Sequence, residues 1–334
     1  MGTLYIIHED AFIGKTDERI IVKSNKTKLM DVPFIKIEGV VVVGRATVSP
    51  AVVDELLDRN IPLSFVTASG RYRGRIEPEF TKNIFVRSAQ WKVAGESDNA
   101  VHLVRGLVRG KLKNYRNLLL RRRRENCELD LEAGIQQLKD AIASLENISD
   151  INCLRGYEGA GSAAYFGCFD DLIQNPRFGF EFRRRRPPTD PVNSLLSFGY
   201  SLLTNDIKSA VNIVGFDPYL GYLHTNRYGR PSLALDLMEE FRPIVVDAVV
   251  LNALNTQKLK PEDFTTEPVS GAVHLTKDGL KVFLRLYEEK KQSKFKHPVL
   301  KRQCTYRESF EIQARLMAKF LMGETDKYPP LVLK

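Results

Sequence analysis

The chain has 334 residues, 43% hydrophobic and 27% charged, which excludes a single small core, a fibrous repeat and global disorder, and favours about two domains. Fifty Lys and Arg against forty-one Asp and Glu leave a formal charge of +9 at pH 7, a bias toward a polyanionic partner. The opening MGTLYIIHEDAF lacks the basic-then-apolar run of a secretory signal, Ile6 stands where a myristoylation site needs Ser or Thr, and the longest apolar runs are too short to span a membrane.

Residues 2–85 read as strands. TLYIIH, AFIGKTDERIIVK, FIKIEGVVVVG, IPLSFVTASG and RYRGRIE are β-rich runs separated by polar or Gly-containing turns. One helix interrupts them, SPAVVDELLDRN, with Ser49 as N-cap, Pro50 at the first helical position and Val52, Val53, Leu56 and Leu57 on one face. No glycine-rich phosphate loop follows any strand, so a nucleotide-binding βαβ unit is not expected. The four cysteines, Cys127, Cys153, Cys168 and Cys304, form no CxxC pair and read as structural thiols of a reduced, cytoplasmic protein.

Between residues 80 and 92 the apolar period lengthens from two to about 3.6. Val104, Val108, Leu112, Tyr115 and Leu119 then fall on one helical face, with Arg105, Arg109, Lys113 and Arg116 on a neighbouring stripe. Nine basic residues and no acidic one lie between Arg105 and Arg124, which fits phosphate contact or a solvated face. A packing helix follows at GIQQLKDAIASLENI. In NCLRGYEGAGSAAYFGCF, Glu158, Ser162 and Tyr165 share a face, while Gly159, Gly161, Ala163 and Ala164 allow another backbone to come close. Arg183, Arg184, Arg185 and Arg186 precede the stiff Pro187-Pro188 step and read as a mobile basic lip, for nucleic-acid phosphates or simply for water. A helix carrying Leu195, Leu196, Tyr200 and Leu203 comes next, and two further helices, LKVFLRLYEEKK and FEIQARLMAKFLMG, lead to an extended ending at Tyr328-Pro329-Pro330.

The most informative stretch is Phe216–Pro243. It places His224 on a connection punctuated by Gly and Pro, and then Asp236 and Glu239 one helical turn apart, with Arg242 continuing that face. A histidine and carboxylates brought to one point suit a divalent cation engaged in phosphoryl chemistry. Two acids at that spacing are also common on plain polar helix surfaces.

The joint pattern is more specific. Asp217-Pro218-x-x-Gly221-x-x-His224, Gly229-Arg230-Pro231-Ser232-Leu233 and Asp236-Leu237-Met238-Glu239-Glu240-Phe241-Arg242-Pro243, preceded by Leu154-Arg155-Gly156-x-Glu158-Gly159, resemble the CRISPR-associated integrase family, the metal-dependent nucleases of the spacer-acquisition complex. The likeness extends to Gly110-Lys111-x-x-Asn114, to Arg186-Pro187-Pro188-x-Asp190-Pro191-x-Asn193, to Gln313-Ala314-Arg315 and to Tyr328-Pro329-Pro330.

The resemblance implies an α+β chain: an N-terminal β-sandwich-like domain, 1–85, for dimerisation and partner contact, followed by a larger all-α catalytic domain, 86–334. It implies Glu158, His224 and Glu239 as ligands of Mg²⁺ or Mn²⁺, Asp236 as a further acidic site residue, Arg242 as a basic neighbour, and Tyr165 and Tyr200 near a DNA strand end. It also implies double-stranded DNA with 3′-hydroxyl ends and CRISPR repeat DNA as substrates. The expected assembly is a homodimer, two of which flank a dimer of a small ferredoxin-fold partner as a heterohexamer. The competing readings are a non-catalytic basic DNA scaffold and a nuclease confined to branched or single-stranded DNA.

Overall fold

The computed structural model describes residues 2–333 apart from Lys26, Ser69, Glu79, Phe80, Lys82 and Glu96. Its first part holds β1 (Gly2–Ile6), β2 (Ala11–Thr16), β3 (Arg19–Ser24), β4 (Thr27–Pro33), β5 (Ile37–Val43), β6 (Ala46–Val48), α1 (Pro50–Asp58), β7 (Leu63–Val66) and β8 (Tyr72–Ile76). These make two four-stranded sheets, ordered β1-β5-β7-β8 and β4-β3-β2-β6. Ile6, Val40, Val42 and Leu63 of the first sheet share a buried cluster with Ile13, Ile20 and Val22 of the second and with Val52 and Leu56 of α1. That is the sandwich the family resemblance implies, built from the strands that the β-rich pattern marks.

The unbroken apolar run Val40–Val43 has a direct cause. Side chains alternate along a strand, so Val40 and Val42 enter the sandwich core while Val41 and Val43 join the larger core of the helical part. β5 is therefore covered on both faces, with parallel neighbours β1 and β7. The crossover β5–α1–β7 joins two parallel strands, a connection that the period-two pattern does not reveal; no glycine-rich loop accompanies it.

The second part comprises α2 (Ile84–Gly95), α3 (Ser97–Glu125), α4 (Glu132–Ser144), α5 (Ile151–Gly167), α6 (Pro191–Val214), α7 (Ser232–Met238), a π-helical turn at Arg242–Asp247, α8 (Ala248–Asn255), α9 (Lys277–Gln292) and α10 (Tyr306–Leu321). Val104, Val108, Leu112, Tyr115 and Leu119 of α3 are all buried, as their spacing requires. Two antiparallel ribbons, β9 (Phe264–Thr266) with β10 (Val273–Leu275) and β11 (Lys294–Lys296) with β12 (Gln303–Thr305), interrupt the helices. Strands of three residues are too short to leave a periodic signal, which is why the sequence reads as all-α there.

The two parts are tied by buried charge. Lys291 of α9, fully buried, meets Asp206 at 3.1 Å and Glu288 at 3.0 Å and donates to Thr3 Oγ1 of β1 at 3.1 Å. Among the described residues no helix is long and apolar enough to cross a membrane. The four cysteine thiols are free, with Cys168 and Cys304 buried.

Candidate active site

Close packing of α5 on α3 creates the centre. A Cβ on Gly161 would lie 2.3 Å from Leu112 Cδ2, so the small-residue face of α5 lets α3 approach until Lys111 and Glu158 touch. Lys111 Nζ pairs with Glu158 Oε1 and lies 2.6 Å from Glu239 Oε2. Ser162 Oγ, one turn along α5, donates to Glu158 Oε1 at 2.9 Å. His224 Nε2 stands 3.6 Å from Glu239 Oε1, and an Arg242 Nη lies 3.0 Å from the same oxygen. Glu158 and Glu239, from separated segments, thus meet at one ammonium group, and His224 stands beside the other oxygen of Glu239. Lys111 was invisible to sequence reasoning, although the Gly-Lys-x-x-Asn motif contains it.

Asp236 is fully buried and holds the loop that carries His224. Its Oδ2 accepts the backbone N–H of Tyr222 at 2.6 Å and of Leu223 at 3.0 Å; Oδ1 accepts the His224 N–H at 2.8 Å and lies 2.7 Å from His224 Nδ1. That network assigns the imidazole proton to Nδ1 and leaves the Nε2 lone pair toward Glu239. The loop can come this near only because residue 221 is glycine: a Cβ there would meet Asp236 Oδ2 at 2.9 Å. Arg155 of α5 donates to Leu223 O, so the helix bearing Glu158 also anchors the histidine loop.

Burial alone would raise the Glu239 carboxyl, but Arg242, Lys111 and His224 around it hold it down at about 2. Its Oε2 is buried and accepts no well-directed hydrogen bond, so acceptor capacity is left over. Two carboxylates and a free imidazole nitrogen are a donor set that fits Mg²⁺ or Mn²⁺. Among the described residues, no three His, Cys, Asp or Glu side chains close on one point as a ready ion cage; the Lys111 ammonium spans the two carboxylates.

Tyr165 and Tyr200 lie beneath this centre, not at its surface. Both are buried, and their hydroxyls donate to the two oxygens of Asp247, at 3.0 and 2.6 Å. Tyr165 also stacks on Tyr115, with centroids 3.8 Å apart. Burial raises the Asp247 carboxyl to about 6 even with these donors beside it. Arg242 and Arg183 stack on Tyr200, at 4.7 and 5.5 Å from the ring centroid, and each keeps a buried Nε without a hydrogen-bond partner.

Next to Glu239, the buried Glu240 accepts hydrogen bonds from Tyr328 Oη, the Leu331 N–H and, at 3.0 Å, Gln313 Nε2. Asn114 Nδ2 donates to Glu240 O at 2.9 Å and Leu331 O at 2.8 Å. The Gln-Ala-Arg and Tyr-Pro-Pro motifs are thereby explained as a seat that fastens the chain's end behind the carboxylate helix.

The basic residues separate into two kinds. Arg105 donates to Ile148 O and Arg109 pairs with Glu146, whereas Lys113 and Arg116 have no ion-pair partner among the described residues. Arg183 turns inward, donating to Asn193 Oδ1 at 2.7 Å and Ser197 Oγ at 3.0 Å, and Arg184 stacks over Phe182 at 4.7 Å. Arg185 and Arg186 are exposed. On the histidine loop, Arg230 is crowded electrostatically by Arg227 and by Arg185; neither Arg227 nor Arg230 was singled out from sequence. Tyr228 between them is wholly exposed.

A family model described as CRISPR associated protein Cas1 matches residues 4–289. CRISPR-associated endonuclease Cas1 3 of Thermus thermophilus is 37% identical over 336 residues, spanning 100% of this chain and 98% of that protein. Among solved structures, a casposase bound to integration product superposes with a TM-score of 0.86 at 19% identity, over 100% of this chain and 95% of that one. A chain of a Cas6-RT-Cas1–Cas2 complex superposes with a TM-score of 0.81 at 21% identity, over 100% of this chain and 37% of that one. At these identities the two superpositions speak to the fold.

Proposed function

Since this chain belongs to the CRISPR associated protein Cas1 family, we propose that it is a metal-dependent DNA endonuclease and integrase that inserts protospacer fragments into a CRISPR array. The observation that carries this reading is that Glu158 and Glu239 share the Lys111 ammonium while His224 Nε2 faces the other oxygen of Glu239. Glu158, His224 and Glu239 would hold Mg²⁺ or Mn²⁺, which when bound supplies a Lewis acid for the target phosphate.

The chain's own groups supply the rest. Asp236 keeps the His224 proton on Nδ1 and thereby orients Nε2. Arg242, held by Glu239, presents a guanidinium beside the carboxylates for an incoming phosphate. In the joining reaction a 3′-hydroxyl oxygen forms the new ester bond to phosphorus and gives its proton to solvent, the existing P–O3′ bond breaks, and the displaced 3′-oxygen takes a proton from solvent, so that strand leaves with a 3′-hydroxyl. Water in place of that hydroxyl gives cleavage. Because the attack must be in line, the basic surface contributes by positioning the DNA.

The assembly belongs to the same proposal. The sandwich, residues 1–85, makes the homodimer and the contact with a small ferredoxin-fold Cas2-type partner in a heterohexamer, while residues 86–334 carry the chemistry; a Cas1–Cas2 complex among the fold's neighbours supports the choice of a Cas2-type partner. The test combines purified protein and partner with a 3′-hydroxyl DNA end, a repeat-containing plasmid and Mn²⁺ or Mg²⁺. Joined product should form, and Glu158→Ala, His224→Ala and Glu239→Ala should each abolish it. Joining that survives all three substitutions refutes the site; cleavage without joined product supports the nuclease-only reading; salt-sensitive binding with neither supports the scaffold.

A further inference from the structure

Where α3 ends, the same two elements that build the centre, α3 and the π-helical turn, form one wall of a separate groove of about 580 Å³. Its floor is apolar, from Leu118, Ile244 and Leu333, and its sides carry Arg121, Arg122, Lys290 and Lys296. No carboxylate lines it among the described residues. Glu125, the acid that pairs with Arg121 and Arg122 at 2.8 and 2.9 Å, offsets one of the four charges. The volume lies in the roughly 300–1,000 Å³ range of cavities that enclose a ligand.

The charge continues past the groove. The ribbon β11–β12 and its connection, residues 293–304, contain Lys294, Lys296, Lys301 and Arg302 and no Asp or Glu. All four are exposed and none has an ion-pair partner among the described residues. Lys290 sits over the Tyr306 ring at 4.0 Å, and burial together with Arg121 lowers its ammonium to about 8, so a neighbouring anion would relieve it. A single small phosphate would need one tight cluster. A row of cations along a ribbon beside an apolar floor instead matches a chain of phosphates with deoxyribose between them.

Lys111 and Arg121 are ten residues apart on α3, about 15 Å along a helix, which one DNA strand covers in about four nucleotides. We propose that this groove is a second nucleic-acid contact, holding the phosphate backbone of a DNA strand about four nucleotides from the carboxylate centre. It acts by affinity and alignment and takes no part in bond making. It rests on the proposed function only for the identity of the strand.

The experiment measures binding of fluorescein-labelled duplex and single-stranded oligonucleotides against salt concentration, for full-length protein. Lys290→Glu/Lys296→Glu should weaken binding about ten-fold or more and make the slope of log Kd on log salt shallower by about two. Lys296→Glu alone, an exposed change that leaves packing intact, should cost about one in slope. Lys23→Glu/Lys28→Glu, with the same net charge but on β3 and β4 of the sandwich, should keep the wild-type slope. Groove variants with a wild-type slope overturn the proposal, as does an equal loss in the control pair. So does a groove variant that loses only inorganic phosphate or a mononucleotide while keeping the oligonucleotide. A wild type that binds through the groove yet neither cuts nor joins refutes the proposed function alone; groove variants that bind DNA normally refute the groove alone.

Discussion

Lys111 Nζ lies 2.6 Å from Glu239 Oε2, with both side chains almost wholly withdrawn from solvent. The ammonium is therefore the counter-charge that lets Glu158 and Glu239 sit together, and a cation entering between them must compete with it. Lys111→Met should lower stability in chelator by roughly 3 kcal/mol, since a broken buried pair leaves charge uncompensated. Mn²⁺ should then raise the Tm of the variant more than that of the wild type. Thermal melts with chelator and with Mn²⁺, alongside Mn²⁺ titration by electron paramagnetic resonance, check this. Equal Mn²⁺ stabilisation in both proteins would show that the carboxylates do not receive the ion.

Asp236→Asn tests positioning. The amide oxygen can accept some of the three backbone N–H groups but cannot hold the His224 proton on Nδ1 as a carboxylate does. Joining rate and Mn²⁺ affinity should each fall about 10- to 100-fold, while circular dichroism stays that of the wild type. A rate that falls with Mn²⁺ affinity unchanged would place Asp236 in a role other than orienting the imidazole.

Asp247 predicts a pH dependence of stability. Its folded carboxyl, near 6, is raised from 3.8 by burial, against the Tyr200 and Tyr165 hydroxyls and Arg242. Between those values the folded state binds the extra proton, so the contribution to stability is full below about pH 4 and is lost as pH rises through about 6. Asp247→Asn removes that loss, so its stability relative to wild type should improve by roughly 3 kcal/mol from pH 4 to pH 7. Urea unfolding of both proteins at several pH values measures it; a constant difference would show that Asp247 ionises normally.

Much of this centre could be read from residue types in sequence, and the part that could not has a physical reason. Glu158, His224 and Glu239 are marked by motifs, and the buried face of α3 by its period. Lys111 and Asp247 are single charged residues in basic or apolar surroundings, and Glu240 only repeats the charge of Glu239 before it. Their roles exist only once α3, α5 and the π-helical turn have packed, because a side-chain partner eighty residues away leaves no local pattern. Tyr165 and Tyr200 show the converse. The resemblance implies that they lie near a strand end; in the fold both are buried and their hydroxyls donate to the buried Asp247 carboxylate, a role that no motif marks. The β-rich character of the first part was legible because strands alternate, and its sandwich form only through the family resemblance; its parallel crossover was not legible, because strand direction leaves no mark on alternation.

The arginines should divide by their partners. Arg185→Ala and Arg186→Ala remove exposed charges, so each should weaken DNA binding and reduce the salt slope by about one. Arg109→Ala should have a smaller effect, since its charge already answers Glu146, and Arg183→Ala should act mainly on stability through Asn193, Ser197 and Tyr200. Fluorescence anisotropy against salt and thermal melts on the four variants distinguish these outcomes. Equal slopes for Arg109→Ala and Arg185→Ala would show that DNA displaces the Glu146 pair.

The π-helical turn at Arg242–Asp247 makes the site sensitive to residue count. In an α-helix, residues five apart point about 140° away from one another, whereas an i→i+5 turn brings them nearly into line. Arg242 can therefore stack on the Tyr200 ring while Asp247 takes the hydroxyl of the same tyrosine. Alanine scanning would pass over this dependence, because no single side chain creates it. Deleting one apolar residue, such as Val245, would retain every functional group and rotate Asp247 away from the tyrosine pair, so that a frame-preserving loss of one codon does what no conservative substitution at the same place can.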